Sequence, residues 1–599
     1  MLEDRLCGHT FLLSPEAFYQ VNHAQAERLY ACAVDYAGLT GEETVLDLYC
    51  GAGTITLALA EHAKTAIGVE IVPEAIENAK ENAARNGAEN VEFYCADAGQ
   101  AAGRFRDSDV LVVDPPRKGL DETARDAILK MQPPRVVYVS CDPATLARDV
   151  ADDVSVMYAG HVLEEGPVSD VITRPAHPYT EGLLRAMPAM DGTRGRLIPI
   201  KGEIPPPDKL GSGCPFASRC PRVTNACRES LGAMTAVEDG RRRTRCDAAL
   251  LTAAPDAPSC ASRLASLPVQ DTEFPVISDI RIARHCYVSR QGLLGRRRPW
   301  DVLQDIDLQV RSGEVMGLVG ESGCGKSTLA RLALGLIEPT EGTVRFKNAP
   351  IPERDSAAWR AQRASMQMIH QDPYACFDPR LPIIEQVAEP LRHHRGLSKE
   401  AAEKAALEVL RAAGLPAHHA GRRPSVMSGG QLQRAAIARA VALEPALLVC
   451  DEPVASLDVS IQAQVLELLL QLRNRMKMAM LFVSHNLSVV RCICDRVTVM
   501  YLGRIVESGT VEAVFSRPLH PYTKLLMAST PGADAHVVRY YPKGAMPSPI
   551  DRPKGCVFAS RCPLAEARCR TDVPPLRDDG SGHLSACFSG PSFLMHPEA

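Results

Sequence analysis

Short apolar runs that end in glycine, serine or an acidic residue recur along the first part of the chain, a pattern typical of buried parallel strands. These runs are TVLDLYCG from Thr44, TAIGVE from Thr65, DVLVVD from Asp109 and RVVYVS from Arg135. Helical stretches separate them, and this alternation predicts one doubly wound α/β unit. The runs EVMGLVG from Glu314 and ALLVC from Ala446 predict a second α/β unit in the C-terminal half.

An internal repeat is the clearest sign of how the chain is organised. VMYAGHVLEEGPVSDVITRPAHPYTEGLL from Val156 recurs as VMYLGRIVESGTVEAVFSRPLHPYTKLLM from Val499. GCPFASRCP from Gly213 recurs as GCVFASRCP from Gly555. The stretch that leads from a glycine-rich loop at Gly320 to the second copy has no counterpart before the first copy. The first copy is therefore a tail without the domain that precedes the second.

These patterns divide the chain into segments. ARDVADD passes into VSVMYAG at Asp153 without a linker, whereas the Pro/Ala/Ser-rich stretch AAPDAPSCASRLASLPVQD follows the first tail. The predicted segments are an α/β unit at 1–153, the first tail at 154–255, a linker at 256–269, a second α/β unit at 270–530 and the second tail at 531–599.

Composition and charge narrow the class of protein. The chain has 599 residues, 46% hydrophobic and 23% charged, which is ordinary for several globular domains and excludes a disordered or fibrous protein. No apolar run approaches the roughly 18 residues of a membrane span, and the first residues lack the order of a signal peptide, so a cytoplasmic chain is predicted. Residues 1–153 contain 13 Lys/Arg and 26 Asp/Glu. Because RNA-binding domains usually have a basic surface, this acidic segment alone is not expected to bind RNA.

The sequence GESGCGKST has the form of a phosphate-binding loop, because it follows an apolar strand and opens an apolar helix. Backbone amides would surround the phosphates, Lys326 would bridge the β and γ groups, and the Ser327 hydroxyl would bind Mg²⁺. The predicted nucleotide-binding residues of this loop are Gly320, Gly323, Gly325, Lys326, Ser327 and Thr328.

An acidic pair follows the apolar run ALLVC. Asp451 can hold Mg²⁺ through water, and Glu452 can polarise the water that attacks the γ-phosphate. The order of loop and acidic pair is that of an enzyme that hydrolyses a nucleotide.

Further motifs complete a set: HQDPYACFDP with Gln371, SGGQ at 428–431, ASLD with Asp458 and FVSHN with His485. The whole set resembles the ATP-binding-cassette (ABC) ATPases, in which the SGGQ segment of one cassette caps ATP bound on another. The resemblance implies that Gln371 senses metal and γ-phosphate, that Asp458 couples the two sites and that His485 contacts the γ-phosphate. The capping residues it implies are Ser428, Gly429, Gly430 and Gln431. The residue that stacks on adenine stays open, since Arg297 stands at the expected place and Trp300 or Tyr287 can substitute.

The segment RPxHPYT, at 174–180 and again at 517–523, resembles the extension of the peptide-importer branch of ABC ATPases, which includes dipeptide, oligopeptide, nickel and glutathione systems. This resemblance implies an ATPase subunit on the inner face of the cell membrane. Its implied partners are a second ATPase chain or a second copy of this one, two membrane permease subunits and an extracellular solute-binding protein.

Each tail carries four cysteines at nearly the same spacing: Cys214, Cys220, Cys227 and Cys246, then Cys556, Cys562, Cys569 and Cys587. Four thiolates suit Zn²⁺ or a [4Fe–4S] cluster, and the spacing does not choose between them. The resemblance to the importer tails favours the iron–sulfur cluster. Four unligated thiols are the simpler alternative.

The N-terminal unit carries FYQVN, DLYCGAGT, GVEIV, DPPRKGL and SCDPATLARD. These motifs resemble the RNA uracil-5-methyltransferases that use S-adenosylmethionine. By this resemblance Cys141 is the nucleophile that adds to uracil C6. The residues it places at the methyl-donor site are Gln20, Tyr49, Thr54, Glu70, Asp97 and Asp114.

The methyltransferase resemblance stops at about Asp153, before the strands that carry the family's proton-removing glutamate, and the family's RNA-binding barrel is also missing. The sheet is therefore expected to have an unpaired edge, and no uracil methylation is predicted. The preferred function is an ATP-hydrolysing subunit of a peptide-type ABC importer. The alternatives are an RNA-modifying enzyme that depends on Cys141, and an open reading frame that joins two truncated genes.

Overall fold

A computed structural model describes most of the chain. The described residues are 2–14, 23–116, 119–140, 152–187, 198–202, 204–205, 209–237, 240–246, 275–290, 297–455, 457–528, 547–548, 550 and 552–589. The predicted site residues Gln20 and Cys141 and the predicted linker 256–269 lie outside them. The chain divides into two compact units, one of residues 1–184 with 200–258 and one of residues 185–199 with 259–599.

The first unit contains the predicted parallel sheet. In the described part of the chain its strand order is β5-β4-β3-β6-β7, and every neighbouring pair is parallel. Its strands, after the hairpin β1 (Leu2–Leu6) and β2 (His9–Leu13), are β3 (Thr44–Leu48), β4 (Thr65–Glu70), β5 (Val91–Cys95), β6 (Val110–Val113) and β7 (Arg135–Tyr138). Its helices are α1 (His23–Ala37), α2 (Thr54–Ala60), α3 (Pro73–Arg85), α4 (Ala98–Arg104) and α5 (Glu122–Met131).

The four predicted strands of this unit are confirmed as β3, β4, β6 and β7. All four residues of β6 are buried, because helices cover both faces of a parallel sheet. β7 is the edge strand among the described residues, as the truncation predicted, and it is only partly buried.

Most of the first tail, residues 154–184 and 200–255, belongs to the same compact unit. Its described strands form an antiparallel sheet in the order β10-β11-β9-β8. Its elements are β8 (Asp153–Tyr158), β9 (His161–Pro167), α6 (Val168–Thr173), α7 (Pro178–Ala186), α8 (Asn225–Glu229), β10 (Thr235–Val237) and β11 (Arg242–Thr244).

The second unit contains two sheets. In the described residues, an antiparallel sheet has the order β13-β12-β15-β16, and a larger mixed sheet has the order β17-β18-β19-β14-β20-β21-β23-β22. Its strands are β12 (Val276–Arg290), β13 (Arg297–Arg311), β14 (Val315–Val319), β15 (Glu341–Phe346), β16 (Ala349–Pro350), β17 (Met366–Ile369), β18 (Leu447–Asp451), β19 (Ala479–Ser484), β20 (Arg496–Tyr501), β21 (Arg504–Thr510), β22 (Arg577–Asp578) and β23 (Leu584–Ser585).

The helices of the second unit are α9 (Lys326–Ala333), α10 (Ala357–Arg363), α11 (Ile383–Arg395), α12 (Lys399–Ala412), α13 (Ala417–Ala420), α14 (Gly429–Val441), α15 (Val459–Met476), α16 (Leu487–Ile493), α17 (Val511–Ser516), α18 (Pro521–Ala528) and α19 (Ala567–Thr571). The helices α11 to α14 lie between β17 and β18 in the chain, and α14 opens with the SGGQ motif. The strands β14, β18 and β19 are entirely buried and bring the predicted catalytic motifs to one end of the sheet. No helix in the described ranges is long and apolar enough to cross a membrane.

The two sequence repeats adopt the same local fold. The order β8-β9-β11-β10 in the first tail corresponds to β20-β21-β23-β22 in the second. In the second copy, β20 also pairs in parallel with β14, the strand that leads into the phosphate-binding loop. In the first copy, β8 is the edge of its sheet among the described residues.

Helix α1 covers part of the first tail. Arg28 Nη1 lies 3.0 Å from His161 Nε2, and Tyr36 Oη lies 2.6 Å from Ser155 Oγ. The repeat aligns His161 with Arg504, which bonds instead to Asp305 on β13 of the cassette. A methyltransferase-like helix thus occupies the tail surface that cassette residues occupy in the second copy.

Candidate functional site

The phosphate-binding loop connects β14 to α9. Gly323 and Gly325 have φ values of 83° and 102°, a left-handed conformation that favours glycine, and the loop then turns directly into the helix. Lys326 is 5% exposed, and its Nζ donates to the carbonyl oxygens of Gly320 at 2.7 Å and Glu321 at 3.0 Å. The loop therefore holds the lysine ammonium beside the backbone amides at the helix N-terminus, which is an anion-binding arrangement. Thr328 follows in the first turn of α9.

Ser327 and Asp451 come together from α9 and the end of β18. Ser327 Oγ donates to Asp451 Oδ1 at 3.2 Å. Burial raises the pKa of Asp451, while the hydrogen bond from Ser327 opposes that rise. A hydroxyl and a carboxylate beside a phosphate-binding loop fit Mg²⁺, which takes oxygen ligands from one or two carboxylates and from substrate phosphates.

Glu452 is the centre of a second contact group. Gln371 Nε2 donates to Glu452 Oε2 at 3.2 Å, and His485 Nδ1 lies 3.2 Å from Glu452 Oε1. These residues come from three separate segments, after β17, β18 and β19. Glu452 has φ of 47°, which is uncommon for a residue other than glycine and is a form of strain found at functional sites. The structure thus brings together the three residues predicted to surround the γ-phosphate and its attacking water.

Ser428 caps α14 at its N-terminus. Gln431 N donates to Ser428 Oγ, and Ser428 N donates to Gln431 Oε1 at 3.2 Å, so the two residues form a capping box. Ser428 is exposed, whereas Gly430 is buried against Ile461. Asp458 is also exposed and is the N-cap residue of α15. The SGGQ motif therefore has both a structural role in the helix start and a surface that faces outward.

Two described aromatic residues, Tyr287 and Trp300, are the candidates for stacking on adenine. Tyr287 and Trp300 are opposite each other on β12 and β13, with ring centroids 6.0 Å apart. Two residues after Trp300, Val302 contacts the phosphate-binding loop, because a Cβ on Gly325 would meet its side chain. The side chain of Arg297 lies outside the described residues.

The second tail reaches the phosphate-binding loop, which the sequence did not indicate. Glu321 N donates to Tyr522 Oη at 2.9 Å. Arg561 Nη1 lies 3.0 Å and 2.9 Å from the two carboxylate oxygens of Glu321. Tyr522 belongs to HPYT and Arg561 to FASRC, and both motifs occur in each repeat. That repetition was the sequence feature that could have drawn attention to these two residues.

The cysteines of each tail converge. In the second tail, Cys556, Cys562, Cys569 and Cys587 line one small cavity together with Phe558 and Phe588. Burial raises the pKa of Cys562 to about 11, and the other three thiols of its quartet add to the rise. In the first tail, burial and the three neighbouring thiols raise the pKa of Cys246 to about 12. No group of three or more His, Cys, Asp or Glu residues in the described ranges has the arrangement of a metal site.

The N-terminal loop after β3 brings together three of the predicted methyl-donor residues, Tyr49, Thr54 and Glu70. Tyr49 has φ of 69°, and Gly51 N donates to Glu70 Oε2 at 3.3 Å. Tyr30 Oη lies 2.9 Å from Thr54 Oγ1. The Glu70 carboxylate also accepts hydrogen bonds from the backbone amides of Ile71 and Val72. These bonds fix its position at the end of β4.

The other two described residues predicted for this site, Asp97 and Asp114, follow β5 and β6. Asp97 is the N-cap of α4 and accepts hydrogen bonds from Gly99 N at 3.0 Å and Gln100 N at 3.2 Å. Asp114 follows β6, and burial raises its pKa to about 6.

Three protein families match parts of the chain. The family described as ABC transporter matches residues 303–455, and the family described as oligopeptide/dipeptide transporter, C-terminal region, matches residues 163–227 and 506–569. The family described as tRNA (uracil-5-)-methyltransferase matches residues 8–166.

Curated proteins similar to this chain match between 48% and 72% of its length. An oligopeptide transport ATP-binding protein of Mycobacterium tuberculosis is 37% identical over 438 residues, which is 72% of this chain and 71% of that protein. A putative peptide import ATP-binding protein of Brucella ovis is 44% identical over 319 residues, 53% of this chain and 98% of that protein. A probable peptide ABC transporter ATP-binding protein of Sinorhizobium fredii is 46% identical over 287 residues, 48% of this chain and 81% of that protein.

Among solved structures, a dimeric ATP-binding cassette bound to ADP and phosphate is 29% identical, with a TM-score of 0.36 over 39% of this chain and 99% of that one. The decisive comparison is with the curated relatives, since the chain covers more than two thirds of each of the three at 37% identity or above. The chain belongs to the ATP-binding proteins of the peptide and oligopeptide ABC transporters, and its N-terminal region matches the tRNA uracil-5-methyltransferase family.

Proposed function

We propose that this chain is the ATP-binding and ATP-hydrolysing subunit of a peptide importer and that the residues of the second unit carry out the hydrolysis. The observation that supports this most strongly is the meeting of Gln371, Glu452 and His485 beside the Ser327–Asp451 pair. The working ATPase domain would span residues 270–530, with its extension at 531–599.

The phosphate-binding loop and Lys326 would bind the phosphates of ATP. The ammonium of Lys326 now bonds to two backbone carbonyls, which are weaker partners than the β and γ phosphates would be. Ser327 and Asp451 would hold Mg²⁺, and that ion would supply charge neutralisation at the phosphate oxygens.

Glu452 would activate the water that attacks the γ-phosphate. Its carboxylate is fixed from both sides by Gln371 and His485, so that a water hydrogen-bonded to it would have a defined direction toward the γ-phosphate. His485 would contact the γ-phosphate, and Gln371 would report its presence through the hydrogen bond to Glu452.

A second cassette is required, because Ser428 faces outward at the start of α14. In a pair of cassettes, the exposed helix start with Gly429 and Gln431 would cap ATP bound to the other member. Asp458 would couple the two sites. The other member would be a related ATPase chain or a second copy of this one.

Permease binding is proposed for an exposed apolar surface near Gln371. Tyr374 and Leu381 are 50% and 42% exposed, and Tyr374 Oη donates to the carbonyl of Met427, just before the SGGQ motif. These two side chains are the proposed contacts with a permease. Two permease subunits and an external solute-binding protein would complete the importer, with this chain on the inner face of the membrane.

The cysteine quartets are proposed as structural sites for a [4Fe–4S] cluster or Zn²⁺. The convergence of four thiols on one cavity in the second tail supports ligation. Because burial raises the pKa of Cys246 and Cys562, ligation would have to displace protons and would strengthen with rising pH.

The N-terminal segment 1–153 is proposed to keep part of a site for S-adenosylmethionine without methylating RNA. The glycine turn and Glu70 fit such a ligand, because the carboxylate lies beside the loop that would approach it. The strands that would carry the general base are replaced by the tail segment 154–255.

Paired variants test this division of function. Lys326→Ala is expected to abolish ATP hydrolysis and ATP-dependent peptide uptake, because the γ-phosphate loses its cation. Cys141→Ser is expected to leave both activities unchanged. Uptake that survives Lys326→Ala would contradict the importer function. A tritium-transfer assay that shows a uracil product abolished by Cys141→Ser would instead support the methyltransferase.

A further inference from the structure

The second tail contacts the phosphate-binding loop at one residue, Glu321. The backbone amide of Glu321 donates to Tyr522 Oη at 2.9 Å, and its carboxylate forms an ion pair with Arg561 at 2.9 Å. The carbonyl of the same residue accepts a hydrogen bond from Lys326 Nζ at 3.0 Å. One residue of the loop is thus held by the tail on one side and holds the phosphate-binding lysine on the other.

The tail side of this contact is buried and closely packed. Tyr501, Tyr522 and Phe558 are each at most 1% exposed, and their ring centroids lie between 4.6 Å and 5.4 Å apart. Tyr501 Oη accepts from Arg561 Nη1 at 3.3 Å. Because these rings are close-packed, the hydroxyl of Tyr522 and the guanidinium of Arg561 have little freedom to follow a moving loop.

The first tail offers an internal comparison. It has the same ring cluster, formed by Tyr158, Tyr179 and Phe216, with centroid distances between 4.7 Å and 5.3 Å. Its arginine, Arg219, bonds to Tyr158 Oη at 3.2 Å and to the backbone carbonyls of Ile200 and Lys201. The ring cluster therefore forms in a tail that has no phosphate-binding loop beside it. The contact with Glu321 is a feature that the second tail has in addition to the cluster.

We propose that Arg561 and Tyr522 are positioning residues that hold the phosphate-binding loop at Glu321 in its ATP-binding shape, so that the tail sets the affinity for ATP. This inference rests on the proposed ATPase function of the second unit. The contacts described for Arg561 and Tyr522 are with Glu321 and with the ring cluster, and they do not include Gln371, Glu452 or His485. The effect is therefore expected on nucleotide binding and not on the chemical step.

The test is a set of ATP-binding and hydrolysis measurements on the full chain. Arg561→Gln is expected to raise the Kd for ATP about tenfold, the order expected for one charge-assisted hydrogen bond, and to raise KM in parallel. The kcat is expected to change by less than about twofold, since Glu452 and His485 are untouched. Tyr522→Phe removes only the acceptor of the Glu321 amide and is expected to raise Kd by a smaller factor.

A double-mutant cycle identifies the ion pair as the cause. Glu321→Gln is expected to raise Kd as Arg561→Gln does, and the double variant is expected to be no worse than either. Arg561→Lys keeps the charge without the fork geometry and is expected to give an intermediate Kd. Because Glu321→Gln breaks the same ion pair from the loop side, the test holds even if Arg561→Gln does not fold.

Matched controls come from the first tail. Arg219→Gln and Tyr179→Phe make the same changes in a ring cluster that has no phosphate-binding loop, and Kd is expected to stay at the wild-type value. A wild-type Kd in both Arg561→Gln and Glu321→Gln, or effects that multiply in the double variant, would overturn the inference while leaving the ATPase function intact. A wild-type chain that does not bind ATP at all would overturn both.

Discussion

Asp47 lies at the centre of the N-terminal sheet with 1% exposure, and its carboxyl accepts a 2.5 Å hydrogen bond from Thr56 Oγ1. Burial raises its pKa to about 7, while the hydrogen bond opposes the rise. A folded-state pKa above the unfolded value means that the folded protein binds the proton more tightly. The contribution of Asp47 to stability is therefore present below about pH 4 and is lost as the pH rises toward about 7.

The corresponding prediction concerns the pH dependence of the first unit. Asp47→Asn keeps an acceptor for Thr56 but cannot ionise, so it is expected to remove a slope of up to about 1.4 kcal/mol per pH unit between pH 4 and 7. The free energy of opening, measured by hydrogen exchange of the β3 amides in the full chain, reports this slope. Asp114, with a pKa of about 6, is expected to leave a smaller residual slope. An unchanged slope in Asp47→Asn would refute the assignment.

At the scale of elements, each HPYT segment is fixed by a buried glutamate. Glu507 on β21 is fully buried, accepts from Leu519 N at 2.8 Å and His520 N at 2.9 Å, and lies 2.7 Å from His583 Nε2. Glu164 on β9 is equally buried and accepts from Ala176 N and His177 N. These bonds satisfy the backbone amides just before α18 and α7, so the glutamates join each hairpin to the helix that follows.

Glu507→Gln is predicted to destabilise the second tail locally by about 1–3 kcal/mol, because an amide cannot accept all three of these contacts. Hydrogen exchange in α18 is expected to accelerate while exchange in α7 stays unchanged. Glu164→Gln is the matched variant and is expected to give the reverse pattern. Equal acceleration in both helices, or in neither, would contradict this role.

The features that could be predicted from the sequence are those whose pattern lies within one short segment. The glycine-rich loop, the acidic pair after β18 and the strands β3, β4, β6 and β7 are each encoded within about ten neighbouring residues. The contact between Glu321 and Arg561 joins residues 240 positions apart, so no local pattern encodes it. Glu507 looks like an ordinary polar position in VESGT, and only the packing of β21 against the HPYT segment explains its burial.

At the scale of the whole molecule, the chain contains two tails and one described phosphate-binding loop. The match to the Mycobacterium tuberculosis protein runs for 438 residues, which is longer than the segment from 270 to the C-terminus, so it reaches into the first tail. The order of a tail followed by a cassette is therefore shared with the Mycobacterium tuberculosis protein. In this chain, α1 contacts the first tail through Arg28 and Tyr36, and the N-terminal segment stands before it in place of a cassette.

The most direct test of the ATPase account is the rate of ATP hydrolysis by the full chain and by Glu452→Gln, measured over a range of protein concentrations. Glu452→Gln is expected to bind ATP with the wild-type Kd but to hydrolyse it at least about 100-fold more slowly, because the water loses its base. The wild-type rate per molecule is expected to rise with concentration or with added partner chain, since two cassettes must meet. Hydrolysis by Glu452→Gln at the wild-type rate would contradict the central claim.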